Sequence, residues 1–329
     1  MSFKLVFALS FMAVLAMPTF GQQTAKDWFE EGNALKNQGN YTEAIICYDE
    51  AIKLDPEYAL AWNNKGNALM DQGKYNEASQ AYDEAIRLYP EFATAWNNKG
   101  SALAYQDKFD KAILAFDEAI RLNPEDAMAW NNKGDALYDL DNYTEAIKCY
   151  DEAVKLDPEY VMAWNNKGVA LMNQGKCDEA IEAYDEAIRL NPHHALAWYY
   201  KGNTLGMQGK YDEAILAYNE NIRIDPKNAW AWFNKGNALY DLDRYDEAIL
   251  AYDEAIGLYP QYAAAWNNKG NALLMQGKYD EAVQAYDEAI RLDPELADAW
   301  YNKGVALEVL GRTYEANEAY ANARELEAY

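Results

Sequence analysis

The sequence predicts an all-α solenoid of nine stacked helix-turn-helix units, and two observations predict it. The first is a strict period: Trp28, Trp62, Trp96, Trp130, Trp164, Trp198, Trp232, Trp266 and Trp300 stand 34 residues apart. Self-similarity at a fixed interval marks an architecture in which each unit packs only on its neighbours, so 329 residues need not divide into domains. The second is the pattern within one period. Trp62, Lys65, Gly66 and Leu69 fall at i, i+3, i+4 and i+7, Gln72-Gly73-Lys74 interrupts, and Tyr75, Ala78, Tyr82, Ala85 and Ile86 resume a helical stripe.

The chain opens with Lys4 followed by an apolar run, Leu5 to Met17, that Pro18 breaks. That order reads residues 1–23 as a signal peptide cleaved near Gly21, or as an uncleaved membrane anchor, and predicts export; a cytoplasmic location is the alternative. From Ala25 the blocks run 25–58, 59–92, 93–126, 127–160, 161–194, 195–228, 229–262, 263–296 and 297–329 without insertion or deletion. One array over 24–329 therefore accounts for the rest. Between the two helices of a block stands Gly39, Gly73, Gly175, Gly209, Gly277 or Gly311, or else Asp107, Asp141 or Asp243. Both residue types tolerate the left-handed backbone that ends a helix. Thr42, Asn76, Asp110, Thr144, Asp178, Asp212, Asp246 and Asp280 read as N-caps of the second helix, and the prolines from Pro56 to Pro294 close it. Asp83 with Arg87 and Asp185 with Arg189 have the i, i+4 spacing of ion pairs. The mid-helix glycines, such as Gly32, Gly66 and Gly100, each cost about 1 kcal/mol relative to alanine. Their repetition predicts close helix approach, with Ala44, Ala78 and Ala112 as the expected facing residues.

The Trp, Gly, Leu, Gly/Asp, Tyr, Ala, Tyr, Ala and Pro positions together resemble the tetratricopeptide repeat family across residues 25–329. The resemblance implies a right-handed α-solenoid, and a protein-binding scaffold in place of an enzyme. The chain departs from the family pattern in a lysine row (Lys65, Lys99, Lys133, Lys167, Lys201, Lys235, Lys269 and Lys303), in Cys177 and Thr313, and in Asn221. The lysine stems are expected to pack while their ammonium groups reach solvent or a carboxylate.

Composition narrows the function further. A net charge of −25 repels phosphate, which disfavours nucleic acid and favours neutral or basic protein or peptide segments. His193 and His194 adjoin without a third ligand, so no metal is expected. No phosphate-cradling loop or nucleophile elbow is present, and neither a cofactor nor a small-molecule substrate is implied. Cys47, Cys149 and Cys177 have no disulfide geometry or metal-ligand spacing and read as small thiols, buried or half-buried.

The family resemblance places a peptide groove on the first helices. It nominates Asn63, Asn97, Asn131, Asn165 and Asn267 one residue after the Trp, with Tyr199 and Phe233 at the same position. Asn64, Asn98, Asn132, Asn166, Asn234 and Asn268 stand two after it, and Asn67, Asn237 and Asn271 five after it. The row two after the Trp is similar to the asparagine ladder of O-linked N-acetylglucosamine transferases, whose amides hold an extended peptide backbone; one carboxamide both donates and accepts. The same row also reads as a tolerated polar residue duplicated with the repeat. Trp230, with Tyr199, Tyr200 and Phe233, is the expected aromatic anchor. The leading expectation is thus a scaffold that captures an extended segment. The alternatives are a structural assembly protein using acidic outer faces or end-to-end stacking, and a regulatory subunit of an enzyme such as a glycosyltransferase.

Overall fold

The computed structural model describes residues 23–327 and contains eighteen α-helices and no strand among them. The first unit, ending at Ala136, carries α1 (Ala25–Asn37), α2 (Tyr41–Leu54), α3 (Ala59–Asp71), α4 (Tyr75–Leu88), α5 (Ala93–Ala104), α6 (Phe109–Leu122) and most of α7 (Ala127–Tyr138). The second, beginning at Leu137, carries α8 (Tyr143–Leu156), α9 (Val161–Asn173), α10 (Cys177–Leu190), α11 (Ala195–Met207), α12 (Tyr211–Ile224), α13 (Ala229–Asp241), α14 (Tyr245–Leu258), α15 (Ala263–Met275), α16 (Tyr279–Leu292), α17 (Ala297–Val309) and α18 (Thr313–Glu327). In each unit the two helices of a block form an antiparallel hairpin, A then B, and each B helix also packs on the next A helix. This is the repeated solenoid pattern. The predicted signal or anchor segment lies outside the described residues.

The turn between A and B is built as the residue types require. Gly73 has φ +74° and Asp107, its equivalent, φ +57°. Lys74 N–H returns to the Leu69 carbonyl at 2.9 Å and Gly73 N–H to that of Met70 at 2.8 Å, closing the last turn of α3. Helix B then starts at Tyr75, one residue before the expected cap, and Lys74 takes the N-cap position with φ −88° and ψ 61° and no side-chain cap bond. The displaced Thr and Asp side chains find partners in the next hairpin. Thr42 accepts from Gln72 at 2.9 Å, Asp178 from Gln208 at 2.9 Å and Asp246 from Gln276 at 2.7 Å.

The mid-helix glycines face the B-helix aromatic ring, not the alanine that sequence spacing suggested. A Cβ on Gly66 would lie 2.5 Å from Tyr82 Cε1, and one on Gly100 2.5 Å from Phe116 Cε1. These rings form the centre of each hairpin core, fully enclosed at Tyr48, Tyr82, Phe116, Tyr184, Tyr252 and Tyr286. The period-marking Trp ties the loop down from the other side: Trp96 Nε1 donates to the Pro90 carbonyl at 3.0 Å and Trp164 Nε1 to that of Pro158 at 3.1 Å. Cys47 and Cys149 are buried and Cys177 is half-buried.

The expected Asp83–Arg87 and Asp185–Arg189 pairs do not form. Arg87 pairs with Glu84 at 2.8 Å and Arg189 with Glu186 at 2.8 Å, because Asp83 and Asp185 are held by Lys99 and Lys201 of the following hairpin, each at 2.6 Å. The lysine row thus has its carboxylate partners. Lys65, Lys99 and Lys133 in the first unit, and Lys167, Lys201, Lys269 and Lys303 in the second, each bridge to the B-helix aspartate one hairpin back, at 2.6 to 2.7 Å. Each ammonium also lies over its own Trp ring, for example 5.2 Å from the Trp62 centroid.

Candidate functional site

Helix geometry divides each A helix into two sides. At about 100° per residue, the positions two before, two after, five after and nine after the Trp share one narrow face, with the Trp, Gly and Leu of the core stripe opposite. The outer positions of that face, two before and nine after, are apolar and exposed in many hairpins. Met162, Leu196 and Trp230 stand 45%, 47% and 61% exposed in three successive A helices of the second unit, and Leu60 and Met128 repeat the position in the first. Tyr105, Met207, Met275 and Val309 stand nine after, also exposed.

Between those two apolar rows runs a chain of carboxamides bonded to one another. Asn64 Nδ2 donates to Asn33 Oδ1 one hairpin back at 2.8 Å, and that same oxygen accepts the Tyr48 hydroxyl at 2.8 Å. Asn98 donates to both Asn63 and Asn67 at 3.1 Å, while Tyr82 donates to Asn67 at 2.8 Å. Asn132 donates to Asn97 at 3.1 Å. The second unit repeats the pattern: Asn234 reaches Asn203 and the Tyr199 hydroxyl, Asn268 reaches Asn237 at 2.9 Å, and Asn302 reaches Asn267 and Asn271. Tyr252 and Tyr286 donate to Asn237 and Asn271. Burial pushes these core phenols upward, that of Tyr48 to about 12.

The nominated residues therefore separate by depth. Asn63, Asn97, Asn131, Asn165 and Asn267 are buried, 3% to 7% exposed, and not presented to a groove. Position one after the Trp turns toward the loop closing its own hairpin, as Phe29 does in reaching Tyr58 at 5.0 Å and Phe233 in reaching Tyr262 at 4.7 Å. Asn63 Nδ2 donates to Asn64 Oδ1 and Asn267 Nδ2 to Asn268 Oδ1, each at 3.1 Å, Asn165 donates to Asn166 Oδ1 at 3.3 Å, and Asn131 donates to Asp135 at 3.0 Å. Asn64, Asn67, Asn98, Asn132, Asn166, Asn234, Asn237, Asn268 and Asn271 are half-buried. In Asn98, Asn234 and Asn302 the amide nitrogen already serves two acceptors.

Of the four aromatics, Tyr199 and Tyr200 meet edge to face with centroids 5.4 Å apart, and Tyr199 and Phe233 pack against one core cluster. Tyr199 and Phe233 pack on Tyr218 and Tyr252 of their own hairpins, Tyr200 stacks over Tyr184 at 6.3 Å, and Trp230 makes no ring contact among the described residues. What sequence reasoning left unassigned is the carboxylate that each lysine of the row reaches, an aspartate sixteen residues earlier, and the amide-to-amide bonding between hairpins, set by contacts 31 or 35 residues apart.

Within the second unit the carboxamide chain breaks at the α9–α11 step. Tyr200 replaces the donor asparagine of its row and Val169 the acceptor asparagine, and in consequence Asn165 Oδ1 and the Tyr184 hydroxyl are buried without a hydrogen bond. Further along the second unit the chain lines a cavity of about 240 Å³ bordered by Asn237, Tyr240, Asp241, Tyr252, Asn268 and Asn271. Among the described residues no group of His, Cys, Asp and Glu is placed to hold a metal, and no helix is long and apolar enough to cross a membrane.

The family model described as tetratricopeptide repeat matches residues 29–90, 64–127, 97–161, 131–176, 165–229, 233–297 and 276–328. The chain is a tetratricopeptide repeat (TPR) protein. No curated protein matches it closely enough to count as a relative. Among solved structures, the TPR chain is similar to a crystal structure of MamA, at 28% identity and TM-score 0.48, over 49% of this chain and 94% of that one. It is similar to YrrB, titled a TPR protein with an unusual peptide-binding site, at 26% and 0.47, over 56% and 95%. The Cut9–Hcn1 hetero-tetramer structure matches at 18% and 0.57, over 85% of this chain and 55% of that one, a likeness of fold. Membership of the TPR family supports a protein-interaction scaffold as the broad role of the chain.

Proposed function

We propose that this TPR protein is a non-enzymatic scaffold that binds an extended segment of another protein across the exposed face of its A helices. The observation that carries this reading is the apolar row Met162, Leu196 and Trp230, which stands in water at equivalent positions of successive hairpins and contributes little to the core. Burying such side chains returns roughly 25 cal/mol per Å² of apolar surface, and an unpartnered row of them is suited to a binding surface. Trp230 is the natural anchor, since a large ring loses few rotors on binding.

The asparagines take a supporting part in this reading. Those one after the Trp are enclosed, and those two after it hold hairpin to hairpin, which leaves the half-buried amides such as Asn268 and Asn271 to offer remaining hydrogen-bonding capacity beside the cavity near Tyr240. The chain's acidity favours a neutral or basic segment. Export by residues 1–23 belongs to the same proposal; finding Met1 intact in a soluble cytoplasmic pool, by mass spectrometry of the N-terminus, would refute it.

Selection of displayed random peptides on the full chain tests the groove. Enriched sequences should share apolar residues at spaced positions and should lose binding when Trp230 and Leu196 become Ser. Enrichment that is indifferent to both substitutions sinks the reading in favour of assembly through other faces.

A further inference from the structure

The lysine row contains one member unlike the rest. Seven of its lysines bridge to a B-helix aspartate sixteen residues earlier, at 2.6 to 2.7 Å. For Lys235 that position holds Asn219. Asparagine has the shape of aspartate without the charge, so the ammonium loses its counter-ion while keeping its surroundings. It still lies over its own Trp, 4.9 Å from the Trp232 ring centroid, and it is half-buried like its equivalents. The charges that reach it are Glu247 and Arg244, and these two are bound to each other at 2.8 Å. Among the described residues Lys235 has no ion pair.

We propose that Lys235 is the selectively reactive amine of this row, a site for N-acylation by an activated acyl donor such as an acyl phosphate. In the seven paired lysines the nitrogen is bonded to an aspartate that must be displaced before it can attack, and acylation would strand a carboxylate that has lost its cation. Neither obstacle exists at Lys235. Burial lowers its proton affinity, against a smaller opposing influence of Glu247, so a larger share of the amine is neutral near pH 8. The neutral Nζ attacks the acyl carbonyl carbon, the C–N bond forms, and the C–O bond to phosphate breaks. Phosphate leaves with the bonding pair and the displaced amine proton passes to water. The product is an uncharged amide that keeps its stem against Trp232, on the side of α13 opposite Trp230, so the proposal does not rest on peptide capture.

The test compares lysines within one molecule. The folded full chain is incubated with acetyl phosphate at pH 8, and initial acetylation rates of the eight row lysines are read by peptide mass spectrometry. Lys235 is expected to react at least about threefold faster than the mean of the other seven, a pKa unit being worth about tenfold in free amine. Asn219→Asp, at an exposed position, should restore the bridge and bring Lys235 down to the level of the row. A rate at Lys235 within that threefold margin, or one that Asn219→Asp leaves unchanged, overturns the proposal.

Discussion

At the scale of single residues, the carboxamide chain turns a surface pattern into an internal bond network. Replacing Asn98 with Ala removes two bonds to the preceding hairpin and leaves the buried Asn63 Oδ1 without that donor, at a cost of about 1–3 kcal/mol in urea unfolding. The break tests the same logic with the opposite sign. Restoring it by Val169→Asn with Tyr200→Asn gives Asn165 Oδ1 and the Tyr184 hydroxyl their missing partners, so the double variant is expected to be more stable by about 1–2 kcal/mol. An equal or lower midpoint would show that Tyr200 stacking on Tyr184 outweighs the lost bonds. None of this was legible in the sequence, because the bonding partners stand 31 or 35 residues apart and residue type alone does not say whether an amide faces solvent or the next hairpin. The same limit misdirected Asp83, whose local arginine had the right spacing while a lysine from the following hairpin held it.

At the scale of the element, glycine has two opposed meanings in these helices. Gly100 in α5 is required, because a Cβ there would meet the Phe116 ring at 2.5 Å; Gly100→Ala should destabilise by about 1–3 kcal/mol. Gly257 in α14 meets nothing within 4 Å, so Gly257→Ala should stabilise by up to about 1 kcal/mol through helix propensity. Thermal unfolding of the two variants separates a packing glycine from an incidental one. Helix existence, order and the left-handed turn positions were legible because Gly73 and Asp107 answer a backbone demand that few residues meet. Helix B starts were read late, since Thr and Asp favour both a cap and the acceptor position that Gln72 and Gln208 reach.

At the scale of the whole molecule, the repeated buried phenols link stability to alkaline pH. Burial raises Tyr48 and Tyr262 from 10.0 in the unperturbed state to about 12 in the fold. The stability they contribute is complete below the unfolded value and is lost as pH climbs through about 12. Circular dichroism against pH should therefore show cooperative loss of helix over that window. The broad role as a scaffold follows from the repeat family, whereas the binding face comes from combining helix geometry with exposure: Trp230 was legible as an unexpected residue, but the exposed row it belongs to emerged only with burial in hand. The most direct test of that face is the affinity of a peptide selected on the full chain, measured by titration calorimetry against two variants of confirmed helicity. Leu196→Ser with Trp230→Ser is expected to weaken Kd at least about tenfold, equivalent to roughly 1.4 kcal/mol, while Asn98→Ala leaves it within about twofold. Binding that survives the first variant and is lost in the second would contradict the account.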